Sequence, residues 1–158
     1  MLGSSTTTER SLPACFLSRP VIEIGNDPRP GGMRFRLGSK QVTLPDAAFE
    51  HFLAIVAGCP DPDRCDSDFI RHDSASNEAC ILRASVHRLR KYLRVQFREE
   101  PDGHNAGNVI CTVVRGKTYR LHPELCVQLD SSVTLIDPMT VRREILDRLL
   151  AKFPPEKN

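Results

Sequence analysis

The stretch Ile81-Leu82-Arg83-Ala84-Ser85-Val86-His87-Arg88-Leu89-Arg90-Lys91-Tyr92-Leu93-Arg94-Val95-Gln96-Phe97-Arg98 decides how this chain is read. Residues 76–97 contain neither proline nor glycine, and Ser76 or Asn77 can cap a helix start, so one long helix is expected. At about 100° per residue, Leu82, Val86, Leu89, Leu93 and Phe97 fall inside an arc of roughly 80°, the stripe that faces a core. Arg83, His87, Arg90, Lys91, Arg94 and Arg98 fall in a neighbouring arc of about 100°, and residues 81–98 include no Asp or Glu. A solvated helix face ordinarily alternates Glu with Lys or Arg at spacings of three and four, because opposite charges there gain a few tenths of a kcal/mol and like charges lose as much. An unrelieved cationic face therefore either serves solubility or expects a polyanion to compensate it. A duplex major groove admits an α-helix and is lined by phosphates, and arginine can bridge a guanine edge in bidentate fashion.

Working outward, the helix is followed by a polar loop with Pro101, Gly103 and Gly107, and then by a β-branched run over residues 109–114. A second strand over 119–121 resumes after Arg115, Gly116, Lys117 and Thr118, so a hairpin is expected whose turn adds Arg115 and Lys117, with Arg120 and Tyr119 beside them. Helix plus basic hairpin is a winged-helix arrangement. Upstream, Val21, Ile22 and Ile24 read as a short strand and residues 26–32 as a turn or loop. Met33, Phe35 and Leu37 alternate with Arg34 and Arg36, Gly38-Ser39 can turn the chain, and Val42 and Leu44 continue the alternation, which gives a small antiparallel sheet. Pro45 and Asp46 open a helix with Phe49, Phe52, Leu53 and Val56 on its buried stripe, ended by Gly58 or Pro60. Residues 59–77 are rich in Asp and Ser, with Phe69 and Ile70 marking one short helical turn. Beyond the hairpin, residues 126–129 and 133–136 form either a further hairpin or one extended segment, and Asp137-Pro138 open a last helix with Val141, Ile145, Leu149 and Phe153 on one side.

The fold class expected is α+β. A 158-residue chain that is 40% hydrophobic and 27% charged supports one globular domain with tails. Its parts are an N-terminal tail over 1–20 that frays, a winged-helix domain over 21–122, an extension over 123–153 with a helix, and a polar tail over 154–158. The net charge of +2 creates no bulk field, so an argument for an anionic partner rests on local clustering. No apolar run approaches the roughly 18 residues of a spanning helix, and no signal segment opens the chain, so a soluble, cytoplasmic protein is expected. Its six cysteines are expected as free thiols. Cys59, Cys65, His72 and Cys80 are spaced more widely than a structural zinc knuckle, and no metal or cofactor is expected. Nor is catalysis, since the chain lacks a phosphate-cradling glycine loop, a Gly-x-Ser-x-Gly turn and a His-Glu-x-x-His site.

Two strings carry a family likeness. Val86-His87-Arg88-Leu89-Arg90-Lys91-Tyr92-Leu93 resembles the third-helix pattern of the OmpR/PhoB-type winged helix-turn-helix effector domain of bacterial response regulators. Val113-Val114-Arg115-Gly116-Lys117-Thr118-Tyr119-Arg120-Leu121 is similar to that family's wing signature, and residues 44–53, with Phe49 and Phe52-Leu53, resemble its first core helix. The resemblance covers about residues 21–122 and agrees in element order. It implies sequence-specific binding of duplex DNA and transcriptional regulation, commonly as tandem or symmetric dimers. It puts Arg83, His87, Arg90 and Arg94 nearest the major groove, Arg115 and Lys117 on backbone or minor groove, and Leu89, Leu93 and Tyr119 in packing roles. The chain departs from the pattern with Val113 for Thr, Thr118 for Gly, a long loop over 99–108 and the segment after residue 122. Only about twenty residues precede the first strand, so no receiver domain is expected in this chain.

Two rival functions stay open. One is a winged-helix module for a protein partner with a vestigial DNA surface, favoured by the acidic stretch 59–73. The other is a regulator in which Cys65, Cys80 and His72 tune DNA binding through thiol or metal chemistry. The last helix either completes the core or pairs with another copy to give a homodimer.

Overall fold

The computed structural model describes residues 11–58, 77–114 and 118–155, the side chains of 77–83, 114 and 118 excepted. The class is α+β. Alternation builds the sheet as expected: β3 (Gly32–Leu37) buries Met33, Phe35 and Leu37 and turns Arg34 and Arg36 outward. It pairs antiparallel with β4 (Lys40–Leu44) along its length, Phe35 opposite Val42, and with β1 (Val21–Ile24) and β2 (Pro28–Arg29) toward its two ends.

Burial of the sheet's apolar side requires a second layer, and α2 (Asp46–Ala57) and α3 (Asn77–Gln96) supply it. Phe35 stacks on Phe52 at 5.1 Å between ring centroids and lies 6.0 Å from Phe49. α2 buries Ala54, Ile55 and Ala57 in addition to its expected stripe, because α4 (Arg143–Lys152) packs on it from the other side. Val141, Ile145, Leu146 and Leu149 are all buried there, so the residues that offered a dimer stripe are used within the chain. Lys152 Nζ donates to the carbonyls of Val56 and Gly58, which closes the end of α2 where its own N–H donors run out.

Four expectations need correction. Residues 11–20 do not form a frayed tail: α1 (Ala14–Leu17) seats Phe16 with no exposed surface, edge-on to Phe97 at 4.7 Å, and Leu12 is buried beside it. One helical turn shows no periodicity, so the burial of Phe16 had no pattern to announce it. Residues 126–136 are neither a hairpin nor one extended segment. β7 (Cys126–Leu129) joins the main sheet parallel to β1, and a 3₁₀ turn follows over Ser131–Leu135, its start capped by Asp130 accepting from the Ser132 amide. Asp137-Pro138 do not open the last helix. Asp137 accepts from the amide of Met139 in a turn, and the helix begins at Arg143. The loop over 99–108 is also more regular than expected, with a 3₁₀ segment at Gly103–Val109 that lies along α3. Residues 1–10, the turn expected around Phe69 and Ile70, and residues 156–158 lie outside the described residues. Among the described residues no helix is long and apolar enough to cross a membrane.

Candidate nucleic-acid interface

The core stripe of α3 stands as read: Val86, Leu89 and Leu93 are buried, as is Phe97 just past the helix end. Gln96 adds a second anchor. Its amide donates from Nε2 to the Thr43 carbonyl at 2.8 Å and accepts from the Thr43 amide at 3.0 Å, so the helix end is tied to β4 by both halves of one side chain. These contacts fix which way the rest of α3 faces.

The hairpin forms at the expected place, with β5 (Ile110–Val114) antiparallel to β6 (Thr118–Leu121) in a two-stranded sheet of its own. Its register shifts between Thr112 and Val114, leaving Val113 as an extra residue on β5 where the family pattern carries Thr. Tyr119 is buried, in keeping with a packing role.

The cationic flank divides in two. Arg90 and Arg94 are half-buried, whereas His87, Lys91 and Arg98 are exposed. Arg90 donates from Nη2 to the Ile110 carbonyl at 2.7 Å and to Thr112 Oγ1 at 3.0 Å, and from Nε to the same carbonyl at 3.3 Å. Its guanidinium carbon stands 5.9 Å from the centre of the Tyr119 ring. Arg94 is covered by the 3₁₀ segment: a Cβ added to Gly107 would lie 2.8 Å from Arg94 Nη1 and 3.3 Å from Arg90 Cβ. Gly103 makes the same close approach further along, where a Cβ would meet the Phe97 carbonyl oxygen at 1.8 Å. Of the residues expected to face the groove, Arg90 is thus hydrogen-bonded to the hairpin and Arg94 lies against Gly107, both of them half-buried. On the wheel Arg90 is only about 20° from Phe97, so whatever covers the core stripe reaches it too.

Arg88, which the cationic arc read from the sequence does not include, is exposed. The signal was available in the wheel. Arg88, Lys91, Arg98 and His87 all lie within about 60° of the point opposite the core stripe, together with Ala84 and Val95. Val95 is 50% exposed. The densest cations lie on the shoulder of the helix, while the point opposite the stripe marks its outward crest. Arg83 belongs to α3 with its side chain outside the described set, and Arg115 and Lys117 lie outside the described residues, so their positions are not assigned.

Electrostatically this crest differs from its surroundings. Among the described residues Arg88, Lys91, Arg94 and Arg98 make no ion pair. Near Arg88, burial together with Arg142 and Arg88 pushes the His51 imidazole below its ordinary range against the opposing pull of Glu50, so His51 is neutral at neutral pH. As for metal chemistry, Cys59, Cys65 and His72 lie outside the described residues, as does the side chain of Cys80. Among those described, no three His, Cys, Asp or Glu residues gather around one point. Cys15 and Cys126 are free thiols. Set beside protein-family models, curated proteins and solved structures, the chain gives no match.

Proposed function

We propose that the chain binds duplex DNA through the outward crest of α3, with the turn of the β5–β6 hairpin as a second contact, and acts as a sequence-specific transcription regulator. The observation that carries this reading is the set His87, Arg88 and Lys91, exposed on one face of α3, with Arg98 exposed in the turn that follows it, all without a carboxylate partner among the described residues. A helix with this face meets the shape and charge of a major groove, and the resemblance of the helix and hairpin strings to an OmpR/PhoB-type winged helix supports the same assignment. Arg88 and Lys91 are the groove-facing cations in this reading, with Arg98, Arg115 and Lys117 on phosphates.

The test is a duplex titration over a salt series, joined to selection from a randomised duplex pool. With about five phosphates engaged, log affinity falls against log salt with a slope near −4 to −5. A sequence-enriched pool supports the assignment. A flat pool with weak retention transfers it to a protein partner, a reading that the engagement of Arg90 by the protein's own hairpin favours.

A further inference from the structure

We infer that Arg90 is a positioning residue that sets the angle of the β5–β6 hairpin against α3 and does not itself contact DNA. This rests on the duplex-binding reading above and goes beyond it by assigning a cation of the flank to internal geometry.

Among the described residues the hairpin's strands pair only with each other and lie off the five-stranded sheet. A two-stranded ribbon is marginal in water when nothing packs on it, so its direction has to be set by side chains from neighbouring elements. Arg90 supplies such a contact. Its fork reaches the main chain of β5 at Ile110 and the side chain of Thr112, and its flat cation faces the ring of Tyr119, which is paired with Thr112 across the hairpin. The stem of Arg90 is covered in turn by Gly107 of the 3₁₀ segment, where a Cβ would lie 3.3 Å and 3.5 Å from its Cβ and Cγ. Helix, 3₁₀ segment and hairpin thus meet on one side chain. A guanidinium can donate through two nitrogens in one plane while stacking on a ring, and an ammonium has no such plane. Lysine at this position keeps the charge and loses the fork.

That difference separates positioning from phosphate contact. The experiment uses the full chain and variants Arg90→Ala, Arg90→Lys and Thr112→Val, with Arg88→Ala as the contact control. Two readouts are taken: anisotropy titration of one defined mixed-sequence duplex over a salt series, and amide hydrogen exchange of the hairpin without DNA. Both Arg90 variants are expected to weaken binding about ten-fold with the salt slope unchanged and to speed exchange in 110–121 while β3 stays protected. Arg88→Ala should instead flatten the slope by roughly one. Thr112→Val, which removes a single acceptor, should weaken binding about three-fold at constant slope and serves if Arg90→Ala fails to fold. Retention of full affinity by Arg90→Lys, a flatter slope in Arg90→Ala, or unaltered hairpin exchange in both Arg90 variants overturns the inference. If the wild-type chain fails to retain duplex at low salt, the DNA reading falls, and hairpin exchange still decides whether Arg90 holds the ribbon.

Discussion

The arginines around the sheet and the cations on the crest of α3 are treated in opposite ways. Arg19 and Arg36 pair with Glu23, and Arg29 and Arg34 pair with Asp27 at 3.0 Å and 2.7 Å. Arg88 and Lys91, on a helix that packs against that sheet, and Arg98, in the turn after it, have no such partners among the described residues. Exposed pairs contribute only about 0–1 kcal/mol each, so the sheet gains little stability from this arrangement. What it gains is local neutrality. Among the described residues the crest keeps its potential, and the difference teaches that a chain with a net charge of only +2 can gather positive charge locally by pairing its charges elsewhere.

The largest effect tests whether the two regions are one folded unit. Phe97 ends the core stripe of α3 and touches Phe16, so Phe97→Ala should cost about 3–5 kcal/mol of stability, read from urea unfolding. A loss under about 1 kcal/mol would mean that helix and sheet are coupled by something other than this packing. Next comes the charge contrast itself. Replacing Arg88, Lys91 and Arg98 together by Ala should lower duplex affinity about a hundred-fold and flatten the salt slope by roughly three, with stability changed by no more than about 0.5 kcal/mol per site. Replacing Arg34 and Arg36 should leave the slope unchanged. An equal effect from both sets would erase the distinction between paired and unpaired arginines. A smaller effect sharpens it: Gln96→Ala removes both hydrogen bonds to Thr43 and should cost about 1 kcal/mol, loosening the crest's orientation without altering its charge.

The smallest effect is on pH. The hydrogen bond from Arg34, joined by the charges of Arg29 and Arg34, holds the Asp27 carboxyl below the usual carboxylate range. Its contribution is present above the unfolded carboxylate pKa and fades as pH falls through the depressed folded value. Because Asp27 is well exposed, solvent screening keeps the step small. Urea midpoints compared across the acid range should show the wild-type chain losing slightly more stability than Asp27→Asn, and identical curves would remove the pair from the account.

Much of this fold was legible because its main elements are strongly periodic. Met33, Phe35 and Leu37 alternate, Phe49, Phe52 and Val56 recur with a helical period, and residues 76–97 lack any breaker, so β3, β4, α2 and α3 stand where the patterns put them. The parts that escaped are those whose burial is decided by distant partners. Phe16 has no pattern of its own and is buried because Phe97 offers it an edge. β7 carries no local mark of the parallel pairing that β1 gives it. For the candidate site, the charge pattern singles out α3, but a wheel of charges alone does not show that Gly103–Val109 and the hairpin cover one shoulder, so neither the hydrogen bonds of Arg90 nor the exposure of Arg88 is legible in it.

The Gln96 amide has one more consequence. By satisfying both backbone groups of Thr43 on the side of β4 that faces away from β3, it takes the place of a neighbouring peptide unit. A foreign strand seeking to pair with β4 at Thr43 would have to evict that amide first, so at this position the side chain opposes edge-to-edge addition between molecules.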